Sequence, residues 1–291
     1  MPEGDVVFRT ARRLNEALAG VPLVRAELRW GELDGSGLVG RETLELVPRG
    51  KHLLHRVAGG WTLHTHLRME GSWQVMSTAD VGLRTLANRQ LRVVVGTAGW
   101  TALGLRLGMV DLVRTEREGE LVGHLGPDIL GPDWDAARAL ANLGAEPERP
   151  VGEALLDQRN LAGIGTLYAA ESLFLEKVHP WAPVTTLGEE RLGALVGRAR
   201  RLMHANLGDG RQTTTGSRRN GEEKWVHGRS GRECRRCGSL VRVAAVGQAP
   251  ADRVIFYCPT CQGGLGPTDD GRPQGPLGSS RGRSGRYRRE F

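Results

Sequence analysis

Residues 234–262 read CRRCGSLVRVAAVGQAPADRVIFYCPTCQ, and this stretch sets the frame for the rest of the chain. Cys234 and Cys237 are two residues apart, as are Cys258 and Cys261, and 20 residues separate the pairs. Two thiolates in a Cys-x2-Cys knuckle reach one ion, and two such knuckles complete a closed tetrahedral site with no open position. One structural Zn2+ on the four cysteines is the expected cofactor. Its role is to tie together a hairpin too small for a core of its own. Arg253 precedes the apolar run Val254-Ile255-Phe256-Tyr257 and so falls near the hairpin tip; taken alone, it reads as a solvated turn residue.

Charge concentrates around this module. The chain of 291 residues has a formal charge of +7, and of its 40 basic residues only Lys51, Lys177 and Lys224 are lysine. Residues 1–210 are close to balanced. Residues 211–242 carry nine basic side chains (Arg211, Arg218, Arg219, Lys224, Arg229, Arg232, Arg235, Arg236, Arg242) against three acidic ones. A basic segment beside a metal motif is the footprint of a nucleic-acid binder. The uncharged run in the hydrophobic middle, Val93 to Leu105, is far shorter than the roughly 20 residues a membrane span needs. The start, Met1-Pro2-Glu3-Gly4-Asp5, lacks the basic and apolar regions of a signal peptide. A soluble, cytoplasmic protein is expected, with no membrane partner.

Toward the amino terminus, Val7, Ala11, Leu14 and Leu18 form one apolar stripe, so residues 2–19 read as a helix ended by Gly20-Val21-Pro22. From about 22 to 115 the pattern becomes short β-like runs between glycines: Thr43–Val47, Leu53–Val57, Trp61–Leu67 and Leu91–Val95. Such a pattern predicts a sandwich or barrel. Gly126 to Pro150 reads as a connector holding a short helix. Helical spacing covers Gly152–Gln158, breaks at Gly163-Ile164-Gly165, and returns over Leu167–Lys177 and Glu189–Leu207.

Two further segments have possible chemistry. Gln158 to Thr166 joins two helices through Gly163 and Gly165, where backbone could approach a phosphate and a helix start could offer N–H groups. The same residues also suit a plain αα turn. At the amino terminus, loss of Met1 would leave Pro2 with a free secondary amine able to attack an electrophilic sugar carbon, with Glu3 beside it as a proton donor. Both residues equally suit a helix first turn.

In this order, the segments resemble the formamidopyrimidine-DNA glycosylase / endonuclease VIII family from Met1 to about Gln262. The matching motifs are Pro2-Glu3-Gly4, Pro48-Arg49-Gly50-Lys51, His124-Leu125-Gly126-Pro127-Asp128, Gln158 to Thr166, and Cys234 to Gln262 with Arg253-Val254-Ile255-Phe256-Tyr257-Cys258. The resemblance implies an α+β multidomain fold. Residues 1–125 would be an N-terminal catalytic β-sandwich domain with its N-terminal helix, 126–220 a helix–two-turn–helix DNA-binding domain, and 221–262 a zinc finger. The Gly- and Arg-rich 263–291, outside the resemblance, reads by composition as a disordered basic tail.

By the same resemblance, Pro2 is the Schiff-base nucleophile, Glu3 its proton donor, Lys51 the residue assisting β-elimination, and Arg253 the holder of the lesion phosphates that assists δ-elimination. The DNA contacts would be Arg68, Met69, His124, Gly163, Gly165 and Thr166. Of these, Met69 is the apolar wedge that fills the space left by an extruded nucleotide. The implied partner is damaged double-stranded DNA, bound by a monomer, and the implied activity is that of a DNA glycosylase and abasic-site lyase of base excision repair. Gly4 and Gly50-Lys51 resemble the endonuclease VIII branch, which favours oxidised pyrimidines. The purine branch, acting on 8-oxoguanine and formamidopyrimidines, usually has leucine where Gly4 stands. Two positions depart from the family pattern: Thr166 replaces the usual asparagine, and Glu70 stands where an aromatic would stack. A non-catalytic zinc-containing protein that binds damaged DNA, and an RNA-binding zinc ribbon, remain alternatives.

Overall fold

A computed structural model describes residues 2–208 and 210–276. The chain divides into two compact units, one through Trp134 and one from Asp135.

The first unit opens with α1 (Gly4–Leu18), whose Val7, Ala11, Leu14 and Leu18 are buried as the stripe predicts. Full burial of a leucine of this kind is worth about 1.5–3 kcal/mol. The helix is also fixed at its polar flank, where Asn15 Oδ1 accepts the backbone N–H of Leu46 at 2.8 Å. Eight strands follow in chain order: β1 (Arg25–Leu28), β2 (Thr43–Arg49), β3 (His52–Val57), β4 (Trp61–His66), β5 (Ser72–Ser77), β6 (Leu91–Gly96), β7 (Trp100–Leu105) and β8 (Met109–Arg114). The short helix α2 (Leu83–Leu86) lies between β5 and β6, and α3 (Glu118–Val122) follows β8. The strands form two antiparallel four-stranded sheets, ordered β1-β6-β7-β5 and β2-β3-β4-β8.

One core holds this unit together. It joins the α1 stripe to Leu46, Leu53, Val57 and Leu63 of the second sheet and to Trp73, Val93, Val95 and Ala102 of the first. β6 is apolar on both faces because Leu91 and Val94 pack with Leu103, Leu86 and Met76 in a second cluster. Side chains alternate across a strand, so the residues between the core positions of β3 and β4 face away from the sandwich interior. These are His52, Leu54 and Arg56 on β3, and Thr62, His64 and His66 on β4. Arg56 meets Glu118 of α3 there at 2.9 Å and 2.7 Å.

The first compact unit runs on to Trp134, and hydrogen bonds explain why. The Asp128 carboxylate accepts the N–H of Gly50 at 2.7 Å and of Leu130 at 3.1 Å. Arg49 donates to the carbonyl of Gly126 at 3.0 Å, and Ile129 is fully buried. The segment after His124 is thereby held to the β2–β3 turn.

The second unit contains α4 (Ala136–Gly144), α5 (Val151–Leu156), α6 (Thr166–Leu175), α7 (Gly188–His204), the hairpin β9 (Arg242–Val246) and β10 (Arg253–Tyr257), and α8 (Pro259–Gln262). α6 is the buried central helix, with every residue from Thr166 to Phe174 inside. Even Glu171 is buried. One of its oxygens accepts the N–H groups of Val226 at 2.8 Å and His227 at 2.7 Å. The other accepts Trp225 N–H at 2.8 Å and the hydroxyl of Thr214. One carboxylate thus clamps the loop between α7 and the cysteine module onto α6.

The expectation of a disordered segment from 263 does not hold for 263–276. Asp269 pairs with the Arg242 guanidinium and accepts the Tyr257 hydroxyl at 2.6 Å. Gln274 bonds the N–H and carbonyl of Val243 at 2.8 Å and 2.9 Å. Thr268 donates to the carbonyl of Ala245 at 2.6 Å. The apolar content is low, as read from the sequence, but order here comes from partners on the hairpin. Residues 277–291 lie outside the described residues.

Candidate active site and metal centre

Pro2 and Glu3 stand at the start of α1, with Glu3 as its N-cap residue and its carbonyl accepting from Val6 and Val7 at 3.0 Å and 3.1 Å. Glu3 is fully buried while Pro2 is partly accessible. A carboxyl group without solvent stands next to the residue whose nitrogen would be the free amine. Lys51 lies in the two-residue turn between β2 and β3. There Gly50 takes a positive φ of 59° and is pinned by Asp128. Burial pushes the Asp128 carboxyl up from its ordinary range, against the opposing pull of the Gly50 and Leu130 N–H groups.

Arg68, Met69 and Glu70 form the exposed turn between β4 and β5. Arg68 holds a left-handed φ of 51°, and its N–H donates to His66 Nδ1 at 2.9 Å. A Cβ on Gly108 would come within 2.1 Å of the Arg68 side chain, so glycine is needed where the loop between β7 and β8 passes the turn. Met69 is 47% exposed, an apolar tip presented to solvent as a wedge would require. Glu70 pairs with Arg106 at 3.4 Å.

The sequence reading missed what surrounds Lys51. His52, His64, His66 and His124 gather there: His52 stands edge-on to His66 with ring centroids 4.8 Å apart, and 6.3 Å from His124. Burial, then the neighbouring imidazoles and Lys51, push His52 down to about 3. Burial and the charges of Arg68 and Lys51 take His66 down to about 4. His52 and His66 therefore stay uncharged at neutral pH. The alternation His64-Thr65-His66 was the available signal, but it carries meaning only with the register that puts His52 opposite His66. Three of the expected residues, Lys51, Arg68 and His124, thus come together around three histidines that were not expected, His52, His64 and His66.

In the second unit, Gly163 takes a φ of 104°, and its N–H is held by Gln158 Oε1 at 3.1 Å. Gln158 Nε2 donates in turn to the carbonyls of Leu156 and Ile164 at 2.9 Å and 3.0 Å. Gln158 therefore shapes the turn, and Gly165 caps α6 without a side-chain hydrogen bond. Thr166 begins the helix, but only 5% of it is exposed, so its side chain is largely withdrawn from solvent. Arg253 is exposed, and its guanidinium donates to the carbonyls of Ala251 and Asp252, within its own turn, at 3.0 Å and 2.9 Å.

The four cysteines converge, with all sulfurs within 4.8 Å of one another. Cys234 and Cys261 sulfurs are 3.9 Å apart, and those of Cys237 and Cys258 are 3.5 Å apart. Ligand sulfurs about 2.3 Å from a tetrahedral centre lie about 3.8 Å apart, so the donor set fits one zinc ion. The Ser239 N–H brings Cys237 down to about 6, favouring the thiolate a metal takes. Gln262 anchors this loop, accepting Cys258 N–H at 2.9 Å and donating to the Val178 carbonyl at 2.8 Å.

Family models match this architecture in both units. Residues 1–125 match the formamidopyrimidine-DNA glycosylase N-terminal domain, and residues 125–217 match the formamidopyrimidine-DNA glycosylase H2TH domain. The chain belongs to the formamidopyrimidine-DNA glycosylase family. Within that family it is 50% identical to "Probable endonuclease 8 2" of Streptomyces coelicolor, over 94% of this chain and 98% of that one. It is 42% identical to "DNA-(apurinic or apyrimidinic site) lyase Nei2" of Mycolicibacterium smegmatis, over 90% of this chain and 99% of the other. The fold matches that of Lactococcus lactis Fpg, crystallised in complex with DNA containing an abasic site. The TM-score is 0.75 and identity is 23%, over 90% of this chain and 99% of that one. Among the described residues, no helix is long and apolar enough to cross a membrane.

Proposed function

We propose that this protein is a bifunctional DNA glycosylase and abasic-site lyase of base excision repair, acting on damaged double-stranded DNA with oxidised pyrimidines preferred. The observation that carries the reading is the Pro2–Glu3 start of α1, with its buried carboxyl group, in a chain half identical to an endonuclease 8 relative over nearly its full length.

The chemistry follows from these groups. Removal of Met1 frees the Pro2 amine, which attacks C1′ of the damaged nucleotide; the base leaves and an iminium forms. Glu3 supplies a proton as the sugar opens. An α-proton is then lost from C2′, the C3′–O bond breaks with Lys51 assisting, and a second elimination at the 5′ side is assisted by Arg253. Water then hydrolyses the iminium and frees the Pro2 amine, so the products are a free base, an unsaturated sugar aldehyde and a gap flanked by phosphates. Reaching C1′ requires extruding the nucleotide, which costs a few kcal/mol and least at damaged pairs; Met69 fills the vacancy. One Zn2+ on Cys234, Cys237, Cys258 and Cys261 supplies structure to the hairpin that carries Arg253. Gly163, Gly165 and the first turn of α6 offer backbone to a phosphate, with Arg68 and His124 as further contacts.

Borohydride trapping tests this on a thymine-glycol duplex and an abasic duplex, with mass spectrometry of the amino terminus. An adduct on Pro2 with both duplexes is expected. An adduct with the abasic duplex alone reassigns the base preference. No adduct from a chain that begins at Pro2 favours a non-catalytic DNA-binding protein.

A further inference from the structure

A depression of about 390 Å³ opens on the second unit between the end of α6, the start of α7 and the end of α8. Lys177, His179, Thr186, Arg191, Cys261 and Gly263 are on its wall, and among the described residues no carboxylate lines it. Glu189 and Glu190, the acids next to Arg191, are not part of that wall. Its size is at the lower end of small-ligand pockets, about 300–1,000 Å³. The proposed chemistry does not use it.

Lys177 is the residue that needs a reason. It follows the C-cap of α6 with a φ of 54°, a left-handed position that helices usually fill with glycine because a Cβ is strained there. It is also one of three lysines among 40 basic residues. The local reasons for a cation at this place are already met by other groups. Glu176, the adjacent acid, pairs with Arg198 Nε at 2.6 Å. The carbonyls of Phe174 and Leu175 at the end of α6 accept from the Arg236 guanidinium at 3.0 Å and 3.5 Å. The cysteine cluster draws on backbone donors, with Arg236 N–H 3.4 Å from Cys234 Sγ. Among the described residues, the Lys177 ammonium and the Arg191 guanidinium have no hydrogen bond or ion pair. His179 packs against Trp181 with ring centroids 5.4 Å apart, and burial pushes its pKa down, so it adds an uncharged wall.

We propose that this depression is a phosphate-binding site, with Lys177 and Arg191 as its two cationic contacts. Two unpaired cations in a concave wall without an acid draw in an anion. Arginine meets a phosphate with two parallel N–H donors, and lysine adds a point charge from the other side. A phosphate in a DNA backbone and the phosphate of a free nucleotide present the same anionic oxygens, so either source satisfies the site. Cys258 follows β10 at the end opposite Arg253. The site is therefore at the base of the hairpin, about 17 Å along the strand from the proposed lesion contact at its tip. It is separate from the Gly163–Thr166 turn and does not depend on the glycosylase reading.

The test is Lys177→Gly in the full, zinc-loaded chain, because glycine accepts the left-handed backbone and only the side chain is lost. Titration calorimetry with inorganic phosphate and with thymidine 5′-monophosphate should show one site in wild type. Lys177→Gly should weaken it about tenfold or more, and Lys177→Gly combined with Arg191→Ala should remove it. Arg84→Ala, which takes one exposed charge from the first unit, should bind phosphate as wild type does. An undamaged duplex separates the two sources. If the DNA backbone is the ligand, Lys177→Gly makes the slope of log K against log salt shallower by about 0.9. Weakened phosphate binding with an unchanged slope assigns the site to free phosphate or a nucleotide. The thermal midpoint of Lys177→Gly should equal or exceed that of wild type, and its zinc release should be unchanged. A variant that melts earlier or sheds zinc faster makes Lys177 a structural residue and overturns the proposal. So does phosphate binding that is equal in all the chains, or absent from wild type while the DNA slope is unchanged. None of these readouts involves excision, so a failure here is distinct from a failure of the glycosylase reading.

Discussion

Replacing Glu171 with alanine tests whether a single carboxylate clamps the loop between α7 and the cysteine module onto α6. Glu171 accepts four hydrogen bonds, from Trp225, Val226 and His227 N–H and from the Thr214 hydroxyl. Hydrogen bonds to a charged group are worth about 1.5–3 kcal/mol each, so the gross loss is about 6–12 kcal/mol. The variant no longer buries a carboxylate, which returns several kcal/mol. The net cost should be about 3–5 kcal/mol, most of it from N–H groups left unpaired: Val226 is fully buried and has no route to water. For a unit of this size that lowers the thermal midpoint by about 10 °C. Circular dichroism melting of the zinc-loaded chain reads the midpoint, and a chromogenic chelator reads metal release in parallel. Glu171→Gln keeps one acceptor oxygen but turns an amide NH2 toward N–H donors, so it should fall between alanine and wild type. A Glu171→Ala midpoint within about 2 °C of wild type, with unchanged zinc release, would refute the clamp.

Three other outcomes are expected. Cys258→Ser should lose the metal measured by atomic absorption and, with it, the protease resistance of the β9–β10 hairpin, since such a module draws its folding energy from the ion. Met69→Ala should reduce excision from a paired thymine-glycol duplex by about tenfold or more, with less effect on an abasic site in a single strand, where there is little stacking to replace; a few kcal/mol of extrusion cost sets the scale. Asp269 is held below the ordinary carboxylate range: burial opposes this, but the Arg242 guanidinium and the Tyr257 hydroxyl outweigh it. Its stabilising effect is therefore complete above the unfolded value of about 3.9 and is lost as pH falls through the lower folded value. Urea titrations of wild type and Asp269→Asn should differ at pH 7, and the gap should narrow as pH falls below about 3.9; a gap that does not change with pH contradicts the pairing.

How much was legible varied with the range of the cause. The α1 stripe of Val7, Ala11, Leu14 and Leu18 and the cysteine spacing are local patterns, and both read directly. The strands at Arg25–Leu28, Ser72–Ser77, Trp100–Leu105 and Met109–Arg114 were not picked out. Trp100–Leu105 includes Gly104, which weakens a strand pattern; a Cβ there would meet Leu107 at 2.6 Å, so the glycine reflects packing. The histidine cluster was invisible for a different reason. His52, His64 and His124 are far apart in sequence, and only sheet register brings them together. Thr166, which the motif puts at a phosphate contact, is almost wholly covered by packing, and the motif carries no sign of that burial. Gly- and Pro-rich composition masked the order of residues 263–276, since Asp269 and Gln274 take their partners from β9 and β10.

That last segment also bears on how copies of this protein avoid one another. A two-stranded hairpin leaves each strand with a free backbone edge, and such an edge is a template for pairing with another chain. On β9 that edge is filled: Gln274 occupies both backbone groups of Val243, while Thr268 and Trp181 both donate to the Ala245 carbonyl. Side chains stand where a third strand would lie, and they offer no continuing edge of their own. Cutting the chain after Gln262 would uncover a ready-made docking edge. A truncated protein that self-associates through its hairpin, with its core and cysteine cluster intact, is the cost of losing 29 residues that look dispensable by composition.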